Sequence, residues 1–196
     1  WTGNGSSQSI SSLEFQPDFT WIKSRSIVDS HHLFDSVRGA GQRLRSDSTG
    51  QQNYNETVYL TSFDSAGFSL GGDDGVNKNT ATYVAWNWKA NGGASSVGSN
   101  TNGSINTTDT SANSDAGYSI STYTGNATSG ATIGHGLSKA PEVIIVSVLS
   151  QAGGHNMYHT AWGSAAKTAP LQSYEPSYTN ANIWNSTAPG ASVFTI

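Results

Sequence analysis

Cysteine is absent from this chain of 196 residues. That excludes a disulfide framework, a thiolate nucleophile and any cysteine-ligated zinc site. Charge is scarce as well. Nine Lys and Arg stand against thirteen Asp and Glu, together 11% of the residues, where globular proteins average about 25%. Nine basic residues on a net charge of −4 do not make the clustered positive surface that neutralises nucleic-acid phosphates. No apolar run approaches the roughly 18 residues of a membrane-spanning helix. The opening WTGNGSSQ has neither the charged start nor the apolar stretch of a secretory signal. Only four glutamates occur, Glu14, Glu56, Glu142 and Glu175, and none lies in a paired arrangement suited to glycoside hydrolysis. No catalytic residue, metal site or cofactor is assigned, and no enzyme is expected.

What the chain has instead is serine, threonine, asparagine and glycine, 89 residues in all, with six Trp and eight Tyr. Large aromatic side chains supply buried area for a core despite the polar average. Strand chemistry recurs at intervals of about ten residues, bounded by turn formers. Phe19–Lys23 is aromatic and β-branched behind Pro17. Val58–Phe63 and Phe68–Leu70 flank an Asp64–Gly67 turn. Thr82–Trp88 alternates, with Val84, Trp86 and Trp88 on one face. Tyr118–Tyr123 reads as a strand too, and Pro141–Val148, apolar on both faces, reads as a central one. No segment keeps a helical period. The fold class is all-β: antiparallel sandwich or jelly roll.

Residues 91–117 contain no aromatic, Lys or Arg, and only Val97 and Ile105 as large apolar residues. This window reads first as a flexible linker, the alternative being a long loop laid over a sheet. The parts it separates, 1–90 and 118–196, repeat one another. Trp1-Thr2-Gly3-Asn4 matches Tyr123-Thr124-Gly125-Asn126, Gln16–Ile22 matches Ala140–Val146, His32–Ser36 matches Asn156–Thr160, and Ala66–Leu70 matches Ser192–Ile196. The offset stays between 122 and 126, so one unit occurs twice. The strand at Tyr83–Trp88 has no counterpart after Ile196, and Tyr118–Thr122 has none before Trp1. The sequence is therefore expected to be a window from a longer chain, or to borrow a strand from a neighbouring subunit.

At these residues the chain resembles a family of large phage and prophage virion proteins, marine and cyanobacterial ones among them. The resemblance lies in Tyr123–Ala127, Ile133–Leu137, Ala140–Val146, Tyr158–Gly163 and Trp184–Ile196. It extends to Gly3–Gly5, Phe15–Asp18, Leu33–Gly39, Leu60–Phe63 and Tyr83–Lys89 in the first part. It implies two tandem concanavalin-like, jelly-roll sandwiches acting as a non-enzymatic virion module, in capsid decoration or a tail fibre. Its partners would be other virion proteins, further copies of itself in a homo-oligomer, and glycans of the host surface; its location would be the particle surface. The alternative is a carbohydrate-binding module of a secreted bacterial protein, with an extracellular location.

Four residues are candidates for ligand contact: Trp88, His31, Asp35 and Arg38. His31 and Asp35 share a strand face and, with Arg38, offer charge-assisted bonds to a sugar hydroxyl; the competing reading has Arg38 closing a turn onto Asp35. Adjacent His31 and His32 point oppositely in a strand, against chelation by the pair. Trp86 and Trp88 read first as core, with Trp88, nearer the strand end, the better exposed. Asp73–Asn79 has the look of a calcium loop, but no distant Glu completes it, so a Gly-rich hairpin loop is expected.

Overall fold

The structure, a computed structural model, describes residues 1–91 and 98–196. It is nearly all β. In chain order the strands of the first half are β1 (Gln8–Ile10), β2 (Phe19–Ser24), β3 (His31–Asp35), β4 (Gln42–Arg45), β5 (Asn53–Tyr54), β6 (Leu60–Asp64) and β7 (Gly67–Leu70). A single helical turn, α1 (Asp74–Asn77), and β8 (Tyr83–Trp88) complete it. The rest holds β9 (Thr107–Asn113), β10 (Tyr118–Tyr123), β11 (Thr132–Gly134), β12 (Val143–Ser147), β13 (His155–His159), β14 (Lys167–Pro170), β15 (Tyr178–Thr179) and β16 (Val193–Thr195).

In the first half a five-stranded antiparallel sheet, ordered β5-β4-β3-β2-β8, accompanies a three-stranded sheet, β1-β7-β6. Side chains alternate across a strand, and β2 follows that rule. Thr20, Ile22 and Ser24 are buried while Phe19, Trp21 and Lys23 are half-buried on the other face. Ile22, Phe34 and Tyr83 from the larger sheet meet Leu60, Phe68 and Leu70 from the smaller one, with Val76 of α1, in one core. Each fully buried aliphatic or aromatic side chain there contributes about 1.5–3 kcal/mol. The turn read at Asp64–Gly67 joins β6 to β7, and Gly67 takes a φ of +153° with its α-carbon pressed against the Ile10 carbonyl. Any Cβ would collide there.

The second half pairs β12-β13-β14-β15 in one sheet and β11-β16 in another, over a core of Ile105, Ile133, Tyr158, Trp184 and Phe194. Its registers reproduce the first. β2 and β3 pair Phe19 with Asp35 and Lys23 with His31; β12 and β13 pair Val143 with His159 and Ser147 with His155, each residue 124 positions on. Gln42 pairs with Tyr54 as Lys167 pairs with Thr179, and Ile10 with Phe68 as Ile133 with Phe194.

Three expectations change. The window read as a linker contains β9, which pairs with β10 from Asn113↔Tyr118 to Thr107↔Tyr123; residues 92–97, Val97 included, lie outside the described residues. What orders β9 is hydroxyl pairing instead of apolar burial. Thr107 and Thr110 are buried with their Oγ1 atoms 2.8 Å apart, and Thr110 Oγ1 lies 3.0 Å from Ser121 Oγ. Ile105 is buried and bridges to Ile133. The strand expected at the centre of a sheet, β12, has β13 as its only strand neighbour among the described residues. Its Ile144 and Val146 pack on the core, but Val143 and Ile145 are 46% and 43% exposed. Finally, Asp73–Asn79 forms a helical turn and not a hairpin loop. Asp73 caps it, accepting from the Gly75 backbone N–H at 2.9 Å, and Lys78 pairs with Asp74 at 3.1 Å.

Candidate functional site

The most distinctive surface is the outer face of the five-stranded sheet. The β2–β8 register places Phe19 beside Trp88 and Trp21 beside Trp86, so alternation in both strands brings four aromatic rings to one face. Trp88 stacks on Tyr118 of β10, centroids 6.0 Å apart and 18° from parallel, and Phe19 leans on both rings. Trp21 meets Trp86 edge-on at 6.5 Å. Its indole N–H donates to His31 Nδ1 at 2.9 Å.

The two tryptophans of β8 are not core. Trp86 is 48% exposed and Trp88 38%, so the reading that favoured burial is corrected. So is the ranking: Tyr118 and Phe19 cover part of Trp88, and Trp86 is the more exposed of the two. The inner face at this end is closed by the small residues of β8 and by Thr20, whose hydroxyl donates to Asn87 Oδ1 at 3.0 Å. The indoles therefore point outward by the pleat alone.

The polar candidates separate. His31 sits beside Trp21, and burial together with the Lys23 charge holds its pKa below the ordinary histidine value. A neutral ring suits its role as acceptor of the indole proton. Asp35 is buried and accepts from the Arg38 backbone N–H at 2.8 Å and from the Arg38 guanidinium. Arg38 also donates to Gln52 Oε1 at 2.8 Å and to the Leu33 carbonyl at 3.4 Å. Both side chains of this pair are 6% exposed, and a buried ion pair with its donors engaged inside the fold is a turn closure. The constellation of His31, Asp35 and Arg38 is thus not assembled: His31 turns to Trp21, and only Asp35 and Arg38 meet.

Sequence reading missed Tyr118 as the fifth ring of the cluster. It lies beyond the window taken for a linker, and nothing local ties it to β8. Burial, with the Asp35 and Asp18 carboxylates nearby, holds its phenol well above the usual pKa. Asp18, fully buried, accepts from Ser36 Oγ at 2.6 Å and from the Ala90 N–H at 2.7 Å, fixing the exit of β8. No group of three His, Asp or Glu residues converges among the described residues.

A second concavity lies in the second half. A cleft of about 360 Å³ is lined by Tyr123, Gly125, Asn126, Val146, Asn156 and Ile196, among others.

The chain belongs to the family described as a domain of unknown function, DUF7483, whose model matches residues 1–196. No curated protein and no solved structure matches it.

Proposed function

We propose that this chain is a non-catalytic surface module of a phage particle, in capsid decoration or a tail fibre. It consists of two tandem jelly-roll, concanavalin-like sandwiches and touches host-surface glycans through the Trp86–Trp88 face. The observation that carries the reading is the pair of outward indoles on β8, 48% and 38% exposed. A flat apolar ring face suits the C–H face of a pyranose. Its backing by Phe19, Trp21 and Tyr118 fixes the platform in place, so little side-chain entropy is lost on contact. The virion setting rests on the resemblance of the motifs, and the hydroxyl-rich, cysteine-free composition fits a protein stabilised without disulfides. Display of many copies on one particle would raise a weak contact by roughly 10²–10⁴ through avidity. His31 accepts the Trp21 indole proton at the edge of the platform, and Asp35 and Arg38 are engaged with each other inside the fold.

A glycan array read with the multivalently displayed chain tests the binding half of the proposal. Trp86→Ala is expected to weaken retained binding about tenfold per site, the upper end of a ring-stacking contribution. Trp88→Ala is expected to weaken it less and to lower stability, because it also removes the partner of Tyr118. Absence of binding to every glycan, or binding indifferent to Trp86→Ala, would leave only the structural role. Peptides of this chain in the mass spectrum of purified particles test the location.

A further inference from the structure

Three Asn-Gly pairs occur in the sequence, at Asn4, Asn91 and Asn102. Such a pair can react with itself, because glycine has no side chain to keep its backbone nitrogen away from the preceding carboxamide. Two things decide whether a folded chain permits this: whether the glycine N–H is already engaged, and whether the carboxamide is tied down. Gly92 falls outside the described residues; Asn4-Gly5 and Asn102-Gly103 lie within them. Both stand in the same local sequence, Asn-Gly-Ser, and both asparagines are exposed. Neither sequence nor accessibility separates them.

Hydrogen bonding does. The Gly5 N–H donates to the Asn77 carbonyl at 2.8 Å. Asn4 Oδ1 accepts from the Ser6 N–H at 2.8 Å and from Asn77 Nδ2 at 3.1 Å, and Asn4 Nδ2 donates to the Ser7 carbonyl at 3.3 Å. Nucleophile and electrophile are both held. At the other pair the Asn102 N–H donates to Asn100 Oδ1 at 2.9 Å. The Ser104 N–H donates to Thr132 Oγ1 at 2.8 Å, and the Ile105 N–H to the Thr132 carbonyl at 3.0 Å. Between them, the Gly103 N–H and the Asn102 carboxamide make no hydrogen bond among the described residues.

We infer that Asn102 is a site of spontaneous deamidation whose products loosen the second half, with water as the only co-reactant. Asparagine is among the thermolabile side chains. The Gly103 nitrogen gives up its proton and bonds to Asn102 Cγ; the Cγ–Nδ2 bond breaks, and Nδ2 takes a proton and leaves as ammonia. Water then opens the five-membered imide at either carbonyl. Cleavage of the new Cγ–N bond yields aspartate. Cleavage of the original peptide C–N bond yields isoaspartate, whose main chain runs through Cβ and Cγ. Both products add a carboxylate, and isoaspartate also lengthens the backbone by a methylene just before the contact with Thr132. That contact is tight, since a Cβ on Gly103 would stand 2.3 Å from the Thr132 carbonyl oxygen. It also delivers the buried Ile105 to the second core, bridged to Ile133. The reaction is thus a slow chemical clock acting on the join between this segment and β11. It is independent of the glycan platform.

The test follows the unaltered chain, folded, through storage in mildly alkaline buffer, with digestion and mass spectrometry. The peptide holding Asn102 is expected to show the mass change of amide to acid and to split into aspartyl and isoaspartyl forms. Asn4 is expected to react about tenfold or more slowly, because its pair must first open locally against several hydrogen bonds. In urea the two should react at like rates, which isolates the contribution of the fold. Hydrogen exchange at the Ile105 amide should quicken as the folded chain ages. Asn102→Gln, which would need a larger ring, should abolish both the conversion and that loss of protection. Equal rates at Asn4 and Asn102 in the folded chain would overturn the inference. So would an Asn102 that reacts only after unfolding, or conversion that leaves Ile105 protected as before.

Discussion

Asn77 and His32 meet the same problem, a polar side chain with no access to water, in opposite ways. The Asn77 amide is fully satisfied, donating to Asn4, to the Ser6 carbonyl and to the Gly71 carbonyl at 2.9 Å. The His32 ring, 2% exposed, has neither nitrogen hydrogen-bonded, and Asp29 stands 3.6 Å from Nε2. Burial first, then the Arg43 charge, lowers its pKa to about 4, against the pull of Asp29. The folded state therefore holds the ring neutral where the unfolded chain, at an ordinary value near 6.5, binds a proton. Stability is full above about pH 6.5 and falls as the pH drops toward 4, below which both states are protonated. The whole effect is of order 3 kcal/mol, at about 1.4 kcal/mol per unit. Urea midpoints at pH 7, 5.5 and 4 should show the decline, and His32→Asn, the residue that the second half carries at Asn156, should flatten it. An unchanged slope in that variant would place the titration elsewhere.

At the scale of elements, what could be read depended on which chemistry does the burying. The β6–β7 hairpin and β8 were legible because their apolar residues alternate about clear turn signals. The matching registers of β2–β3 and β12–β13 were foreshadowed by glycine and proline positions that recur at the same offset. β9 escaped because its buried residues are Thr107, Thr110 and Ser111, and hydroxyls that satisfy one another look, in a sequence, like hydroxyls facing water. β12 was read as central because apolar character on both faces normally means cover on both; here Val143 and Ile145 are partly exposed and the second edge has no strand neighbour among the described residues. The ligand cluster failed for a related reason. Spacing put His31 and Asp35 on one face but could not say that Trp21 and Arg38 would each claim one. The account of β9 has a direct check. Thr110→Val keeps shape and strand propensity but deletes the hydroxyl between Thr107 and Ser121, and should cost about 1–3 kcal/mol. Thr108→Val, at the exposed residue that the β9–β10 register skips, should stay within about 0.5 kcal/mol. Chemical denaturation of the two variants distinguishes a hydroxyl ladder from simple threonine strand propensity.

For the molecule as a whole, the question is how two separate cores are joined. The Trp88–Tyr118–Phe19 stack ties β10 to the first sheet. The exit of β8 is bound to β9, Asn91 N–H donating to Ser111 Oγ at 2.9 Å and Asn113 to the Ala90 carbonyl at 3.3 Å. At the far side, His155 donates from Nε2 to the Arg45 carbonyl at 2.9 Å while accepting from Ser147 Oγ at 2.6 Å. Gln52 and Gly153 N–H groups close onto the Leu149 and Thr49 carbonyls at 3.1 and 2.8 Å. Aromatic pairs contribute about 0.5–1.5 kcal/mol each beyond their buried area, and a net hydrogen bond about 1 kcal/mol. Their sum is comparable with the marginal stability of one small domain, enough to make the halves unfold together. Calorimetry of the unaltered chain should accordingly show one transition. Tyr118→Ala with His155→Ala removes the ring stack and the side-chain bridge at opposite ends of the contact while leaving both cores intact. The expected result is two resolved transitions, with the second half melting first, since among the described residues β12 has one strand neighbour where β2 has two. One undivided transition in the double variant would mean that the β8–β9 connection and the Gln52–Leu149 and Gly153–Thr49 backbone bonds suffice to transmit the cooperativity.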